Sequence, residues 1–589
     1  MTSDTIYTAI SFAPVQGFIE KSRKLRDLYG ASLILSYLSQ KIVQELGQRG
    51  KVISPALPNV QEGMPNRILV KAEKTIDRDE VKQLLLKHWK HLLTVCREWV
   101  EKYVPTDYLW AQKDNQISKE KGEWERWGEY SWEVFWGYGN DPHTAMEDLE
   151  TRKLKRDWVA INWVGESSSL SGTDAIAWPQ LGRQYEIQGE CQPGRSLTDK
   201  EQLDLELFYR QLSWLLDEPK QRKGKVPSMS LESLRAYEKS NPDGIGRYIA
   251  VNERLSIPEL VKRLVTYDKI DADRPVNEKL DIAKLKKRPD DPEFKDIYRE
   301  AGYWTGWFMG DGDKVGDKLQ QLANRNLDDP TQRDRDLQRF SELIRGWGQN
   351  FEDFQNRENV FPDGKGRVIY AGGDDFMGVL YSEENQTQKK PEKLKPIEAW
   401  GWLLNLPKQW EKLQNDLEEL GFKDKSRFTY SVGFVWAGHQ VPQRDVLQHC
   451  REAEKRSKSW GRDRVTIRVL FNNGQYVQWT CPWSYLDILT KYRDRNHQDR
   501  SGSPEDQNWT NIYNDWAKLK ARHSIRLNDR SGQVDDRIAL EVFKIYFNDM
   551  ERFEEHTQEI FKNEEYTPKA VIEWLDGLVN VGWQLCSNS

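Results

Sequence analysis

The chain has 589 residues with a formal net charge of −6, 37% hydrophobic and 31% charged residues, and a mean hydropathy of −0.83. Its 25 Trp, 23 Tyr and 19 Phe are too many aromatics for a disordered chain, and the near-neutral balance excludes nucleic-acid binding by bulk positive charge. No apolar run is long enough to span a membrane, MTSDTIYTAISFAPVQGF is no signal peptide, and five scattered cysteines (Cys96, Cys191, Cys450, Cys481, Cys586) form no C-x-x-C pair, so the expectation is a cytoplasmic, soluble chain without zinc.

Ile6 to Phe12 reads as a strand and Ala13–Pro14 as a turn. Val15, Phe18, Ile19, Leu25, Leu28 and Tyr29 form a long helical pattern that Gly30 kinks or ends before Leu33–Leu38 continues it. Strands around Lys51–Ser54 and Arg67–Lys71 and a helix from Arg78 to Tyr103 complete a β-α-β-β-α order, which suggests a ferredoxin-like α+β module. Residues 110–300 are Trp-rich with few clean periodicities. Near their end Leu255, Ile257, Leu260, Val261 and Leu264 share a helical face, with Lys262 and Arg263 outside it as a solvated basic pair.

From residue 300 the pattern sharpens. Trp304–Met309 reads as a buried strand, followed by Gly310-Asp-Gly-Asp313 and two amphipathic helices, the second with Leu337, Phe340, Ile344, Trp347 and Phe351 on one face. Arg367–Tyr370, the tight Ala371-Gly-Gly-Asp-Asp375 and Phe376–Leu380 read as strand, turn, strand. A helix over Trp400–Leu420, a strand Phe428–Trp436, a helix around Cys450 and a strand Arg464–Phe471 follow. The last residues, from about 473, read as helical patterns split by a polar stretch near 494–508.

The chemistry concentrates in Asp311 and Gly372-Gly373-Asp374-Asp375. The strand ending at Met309 would lie beside the hairpin, so Asp311 and Asp374 would meet at one sheet edge. Convergent carboxylates suit hard, oxygen-seeking cations, two Mg²⁺ or Mn²⁺ ions per site, completed by nucleotide phosphates. Gly372 and Gly373 supply positive φ and let phosphate approach the backbone. The competing reading is an ordinary hairpin turn, which favours Gly and Asp for local reasons. An EF-hand loop starting at Asp311 fails because Val315 and Leu322 stand where ligands belong, and G-x-G-x-x-G is broken between Gly312 and Gly316. Lys458, at the end of a helix, could reach a triphosphate or simply cap the negative helix end. His439, just past a strand, could touch a base or cap a loop.

Three blocks resemble a known family, the large palm-domain subunit of type III CRISPR–Cas effector complexes, most closely the Cmr (III-B) type. They are Ser11–Ile19 continuing through Ser22–Ser32 to Ser36, Asp311-Gly-Asp-Lys-Val-Gly316, and Ala371-Gly-Gly-Asp-Asp-Phe376. Ser431-Val-Gly433, Ala453-Glu-Lys455 and Glu253–Arg263 match more loosely. The resemblance implies an α+β fold with two ferredoxin-like palm domains: a non-catalytic palm over 1–165, a joining domain over 166–300, a catalytic palm over 301–472 and a helical domain over 473–589. It implies conversion of ATP into cyclic oligoadenylates when a guide-RNA complex captures target RNA, with other Cmr-type subunits, guide RNA and target RNA as partners and no membrane. Asp311, Asp374 and Asp375 would hold metal, with Asp374 and Asp375 catalytic. Gly372, Gly373, Ser431 and Lys458 would contact nucleotide. The palm signature begins at residue 11 and no His-Asp pair exists, so cleavage of single-stranded DNA by an HD domain is not expected. The cysteines cannot make the zinc finger that many members carry. A non-enzymatic scaffold subunit and a stand-alone nucleotidyl cyclase are the alternatives.

Overall fold

The computed structural model describes residues 6–55, 66–108, 110, 122–155, 166–180, 186–187, 190–191, 197–217, 230–240, 246, 248–280, 297, 299–325, 328–352, 361–362, 365–382, 392–493, 509–526 and 534–586. The chain forms two compact units, residues 1–296 with 320–342 and residues 297–319 with 343–589. Residues 320–342 therefore belong with the first unit although they fall inside the expected 301–472 domain. Among the described residues no helix is long and apolar enough to cross a membrane.

The first unit contains β1 (Ile6–Ala13), α1 (Gln16–Glu20), α2 (Leu25–Leu46), β2 (Lys51–Ser54), β3 (Arg67–Ala72), α3 (Arg78–Tyr103), α4 (Glu123–Tyr130), β4 (Glu133–Gly139) and α5 (Pro142–Lys153). It continues through a small hairpin, β5 (Glu186–Ile187) and β6 (Glu190–Cys191), to α6 (Asp199–Asp217), α7 (Leu231–Ser240) and α8 (Ile257–Leu264). The main sheet has the order β2-β3-β1-β4 with every neighbour antiparallel, the ferredoxin-like arrangement. Ile10, Phe12, Ile68, Val70 and Val134 on the strands share one core with Ile34, Leu38, Trp89 and Leu93 on α2 and α3. The strand β4, inside the Trp-rich stretch, is the member that periodicity left unassigned.

Two expectations for this unit are corrected. Gly30 neither kinks nor ends a helix, because α2 runs through it without a break. Its missing side chain serves close approach instead: a Cβ there would stand 2.0 Å from the Lys262 carbonyl oxygen of α8. The Lys262–Arg263 pair is not a solvated face, since Lys262 is 1% and Arg263 0% exposed and all eight residues of α8 are buried. Arg263 uses its whole guanidinium. Nε donates to Asp27, Nη2 donates to Asp27 at 3.0 Å and Glu253 at 3.3 Å, and Nη1 donates to Glu253 at 3.2 Å and to the Tyr248 carbonyl. Lys262 donates to the backbone carbonyls of Phe18 and Lys21. The N-terminal sequence block is thus locked to α8 by buried charge.

The second unit carries β7 (Thr305–Gly312), the first turn of α9 (Val315–Ala323), the C-terminal part of α10 (Pro330–Glu352), β8 (Arg367–Ala371), β9 (Asp375–Leu380), α11 (Pro396–Asn405), α12 (Lys408–Glu418), β10 (Tyr430–Ala437), α13 (Gln443–Ser459), β11 (Arg464–Leu470) and β12 (Tyr476–Pro482). A 3₁₀ segment at Trp483–Lys491 leads to α14 (Thr510–Ala521), α15 (Arg537–Phe547), α16 (Met550–Ile560) and α17 (Pro568–Cys586). The polar stretch 494–508 lies outside the described residues. The sheet order is β12-β11-β10-β7-β9-β8, parallel only between β10 and β11. Every residue of β10 and β11 is buried, as central strands covered on both faces require.

Here too the structure departs from expectation. The helix expected over Trp400–Leu420 is two helices, broken at Leu406–Pro407, because proline has no N–H to continue the ladder. The strand β12 lies in a segment read as helical, so the sheet continues past residue 472. It pairs with β11 through the Asn473-Gly474 turn, where Gly474 has a φ of +81°.

Candidate active site

The site begins with strand register. β7 lies between β9 and β10; Asp311 stands directly opposite Asp375 on one side and opposite Ser431 on the other. Directly opposed residues of an antiparallel pair share a face, about 4.5–5.5 Å apart at Cα. The strand does not stop at Met309 as expected. It runs to Gly312, whose N–H donates to the Asp374 carbonyl at 2.6 Å, and the Asp313 N–H then donates to the Thr429 carbonyl at 2.8 Å. Asp311 is therefore fixed inside the sheet rather than on a loop.

The Gly-Gly-Asp turn between β8 and β9 is held as firmly. The Gly372 N–H donates to the Asp375 carbonyl at 2.8 Å, and Gly373 has a φ of +131°, which side chains disfavour. A Cβ on Gly373 would meet Ile344 at 2.7 Å, and one on Gly372 would meet the Asp375 carboxylate at 2.6 Å. The Tyr430 hydroxyl donates to the Gly373 carbonyl at 3.1 Å and Arg345 donates to the Gly372 carbonyl at 3.2 Å. Tyr430 is buried against Trp347 and Phe376, with ring centroids 5.0 and 5.5 Å away. The turn stands on an aromatic floor.

One cation answers these carboxylates directly. Lys458, near the C-terminal end of α13, places Nζ 2.7 Å from Asp311 and 2.6 Å from Glu454. Burial opposes its charge, but Asp311 and Glu454 together hold its ammonium above the usual lysine range. Asp311 is pushed up to about 6, chiefly by burial, with Lys458 opposing the rise and Asp374 adding to it. Asp375 is pushed up to about 8 by burial and then by the charges of Asp374 and Asp311. The site carries more negative charge than its lysine balances.

Among the described residues no three His, Cys, Asp or Glu side chains are arranged as a ready metal cluster. The donor chemistry nevertheless fits a divalent cation: all three candidate groups are carboxylates, and their mutual repulsion is what a bound cation would relieve. Of the residues expected to contact nucleotide, Gly372, Gly373 and Lys458 surround the same sheet end. Ser431 is also there, but it is fully buried and its hydroxyl donates to Asp313 at 2.6 Å. His439 does not join the site. It follows the far end of β10, eight residues from Ser431, or roughly 25 Å along an extended strand.

Three functional neighbours were not expected from the sequence: Asp313, Arg345 and Tyr430. Asp313 carried no usable signal of its own, since it lies one residue past the end of β7 and its partners come from β10 and from the turn after α13. Arg345 and Tyr430 had none either; they belong to a helix and a strand that only the fold brings to the turn.

Two family models match the chain. "CRISPR-associated protein Cmr2, N-terminal" covers residues 7–94, and "Cas10/Cmr2, second palm domain" covers residues 304–466. Over those residues the chain carries a Cmr2 N-terminal region and a Cas10/Cmr2 second palm domain. The second match encloses β7 and the Gly-Gly-Asp turn, so the site described above lies within the residues that match the second palm domain. No curated protein sequence matches the chain. Among solved structures, a type III-B Cmr-beta complex in its apo state is similar, at 11% identity over 98% of this chain and 82% of the other, with a TM-score of 0.52. A Csm1–Csm4 cassette in complex with cA4 is 13% identical over 99% of this chain and 70% of the other, with a TM-score of 0.41. A Csm1–Csm4 subcomplex of the type III-A CRISPR–Csm interference complex is 14% identical over the same shares, also with a TM-score of 0.41.

Proposed function

We propose that this chain joins ATP molecules through 3′–5′ linkages into cyclic oligoadenylates, each 3′-hydroxyl attacking an α-phosphorus with release of pyrophosphate, within an RNA-guided complex and in response to target RNA. The observation that carries the reading is the register that sets Asp311 opposite Asp375, beside a glycine turn with Asp374 at its end. The second-palm family match over the same residues supports it. Asp311, Asp374 and Asp375 would hold divalent cations, which supply charge neutralisation for the transferring phosphoryl group and a lower pKa for the attacking 3′-hydroxyl.

The chain's own residues do the rest. Gly372 and Gly373 present backbone to the phosphates with no side chain in the way. Lys458 balances Asp311 and stands where a triphosphate would need a positive partner. Arg345 and Tyr430 keep the turn from moving as substrate charge arrives. Ser431 acts through Asp313 rather than on nucleotide.

The test is incubation of the purified complex with labelled ATP, Mg²⁺ and matched target RNA, with the products resolved by mass. Target-dependent cyclic oligoadenylates are expected. A complex that leaves ATP untouched, or yields only linear products of another linkage, would overturn the reading.

A further inference from the structure

Asp311 lies near the end of β7 and Asp313 one residue past it, yet their surroundings differ sharply. The Asp311 side chain is 37% exposed, whereas that of Asp313 is 5% exposed. The two carboxylates therefore cannot do the same work. Asp311 can meet a ligand; Asp313 meets protein. Its Oδ1 accepts from the Ser431 hydroxyl at 2.6 Å, and its Oδ2 accepts from the Thr429 hydroxyl at 2.8 Å and from the Asp463 N–H at 2.9 Å.

The third of those bonds reaches an unusual piece of backbone. After α13 the chain passes through Gly461, Arg462 and Asp463 with φ values of +123°, +64° and +52°. Three successive left-handed residues, two of them not glycine, persist only where neighbours hold them. Asp313 is one such hold, and the Arg462 N–H bond to the Ser457 carbonyl at 3.1 Å is another. The Gly461 N–H points back to the Lys458 carbonyl at 3.4 Å, so this turn and Lys458 form one piece.

We propose that Asp313 is a positioning residue: its buried carboxylate ties the ends of β7 and β10 to the left-handed turn after α13 and so sets where Lys458 stands against Asp311. The inference rests on the nucleotide-transfer reading of the site only for its kinetic consequences; the structural coupling stands apart from it.

The experiment separates positioning from metal binding. In Asp313→Asn the amide oxygen can take over the bonds from Thr429 and Asp463, and the amide nitrogen can donate to Ser431, whose hydroxyl also accepts. A positioning residue tolerates that exchange, so Asp313→Asn should keep turnover within about threefold of wild type, whereas Asp311→Asn, at a proposed metal ligand, should lose it. Asp313→Ala should raise the ATP KM about tenfold, close to the effect of Lys458→Ala, as expected for losing an interaction of ~1.4 kcal/mol. The double variant should be no worse than either single one, because both disturb one contact. Ser431→Ala removes one bond and gives a milder form of the same change where Asp313→Ala does not fold. Hydrogen exchange over 457–464 reads the coupling without any activity: Asp313→Ala should lose protection there and retain it in β8 and β9. Loss of turnover in Asp313→Asn, multiplying effects in the double variant, or unchanged exchange would overturn the proposal. Absent turnover in every protein, with the exchange result intact, would count against the proposed reaction alone.

Discussion

Replacing Arg263 by Met tests how the first unit is held together. Methionine keeps most of the apolar volume of the arginine stem, so the loss is that of a charge with five donors, all of them engaged. Removing one partner of a buried ion pair costs about 3–5 kcal/mol because the other is left uncompensated. Here the stranded carboxylates keep some company. Asp27 still accepts the N–H groups of Arg23 at 2.8 Å and Lys24 at 2.9 Å, and Glu253 keeps the Ala250 N–H at 2.7 Å and Lys24 at 3.4 Å. The expected loss is therefore toward the lower end, about 3 kcal/mol at pH 7. Burial would raise Asp27 and Glu253, but Arg263 wins and holds both below the usual carboxylate range. Their folded-state pKa values being depressed, they stabilise the fold above about pH 4, and this contribution fades as pH falls through the folded values. In the variant the same carboxylates lose that hold and take up protons sooner, so the deficit should shrink in acid. Native-state hydrogen exchange of α2 amides across a urea series, at pH 7 and near pH 4, reads the local stability. A deficit below 1 kcal/mol at pH 7, or one that grows in acid, would refute the reasoning.

Asp374→Ala with Asp375→Ala should abolish ATP consumption while leaving guide and target RNA binding within about twofold, checked by product mass and filter binding; normal output from that double variant would contradict the site. Lys458→Ala should act mainly on the ATP KM, since its partner would be a phosphate present in ground and transition states alike; a pure kcat effect in steady-state kinetics would argue otherwise. Gly373→Ala should destabilise the second unit by about 1–3 kcal/mol, because it adds a side chain both at positive φ and against Ile344, and a thermal melt unchanged from wild type would show the turn to be softer than its bonds suggest. Lys262 is buried and its ammonium is pushed down to about 8. A lysine depressed on folding opposes stability below that value and stops doing so as pH rises past its unfolded value, so Lys262→Met should narrow the stability gain between pH 7.5 and 10.

Much of this molecule was legible because its signals are local. Periodicity alone placed β2 and α3, and the expected pairing of the strand before Asp311 with the Gly-Gly-Asp-Asp hairpin anticipated their common sheet end, although Asp375 rather than Asp374 stands directly opposite Asp311. What failed was non-local. Arg263 looked solvated because nothing near it in sequence reveals Asp27, 236 residues away. Asp313 follows the end of β7, where strand alternation no longer applies, and nothing local says that Asp311 is open to solvent and Asp313 closed off. His439 shows the same limit, since a strand's sequence does not say which of its ends carries the chemistry. The strand β12 is different, because Asn473-Gly474 is a strong hairpin signal that a helical reading of the C-terminal residues overrode.

The parallel pair β10–β11 has a consequence for what can enter the site. Parallel neighbours need a crossover, and the helix in it, α13, runs against both strands and ends beside their beginnings. Ser457, in its last turn, accordingly donates to the Val432 carbonyl near the start of β10. The site thus lies at a helix C-terminus, where backbone carbonyls add partial negative charge to three carboxylates. Many phosphate sites use the opposite end of a helix, where N–H groups do the holding. Under the proposed function, this topology works as a charge filter. A bare triphosphate is repelled by backbone and side chains together, and only a nucleotide that brings its own cations is drawn in.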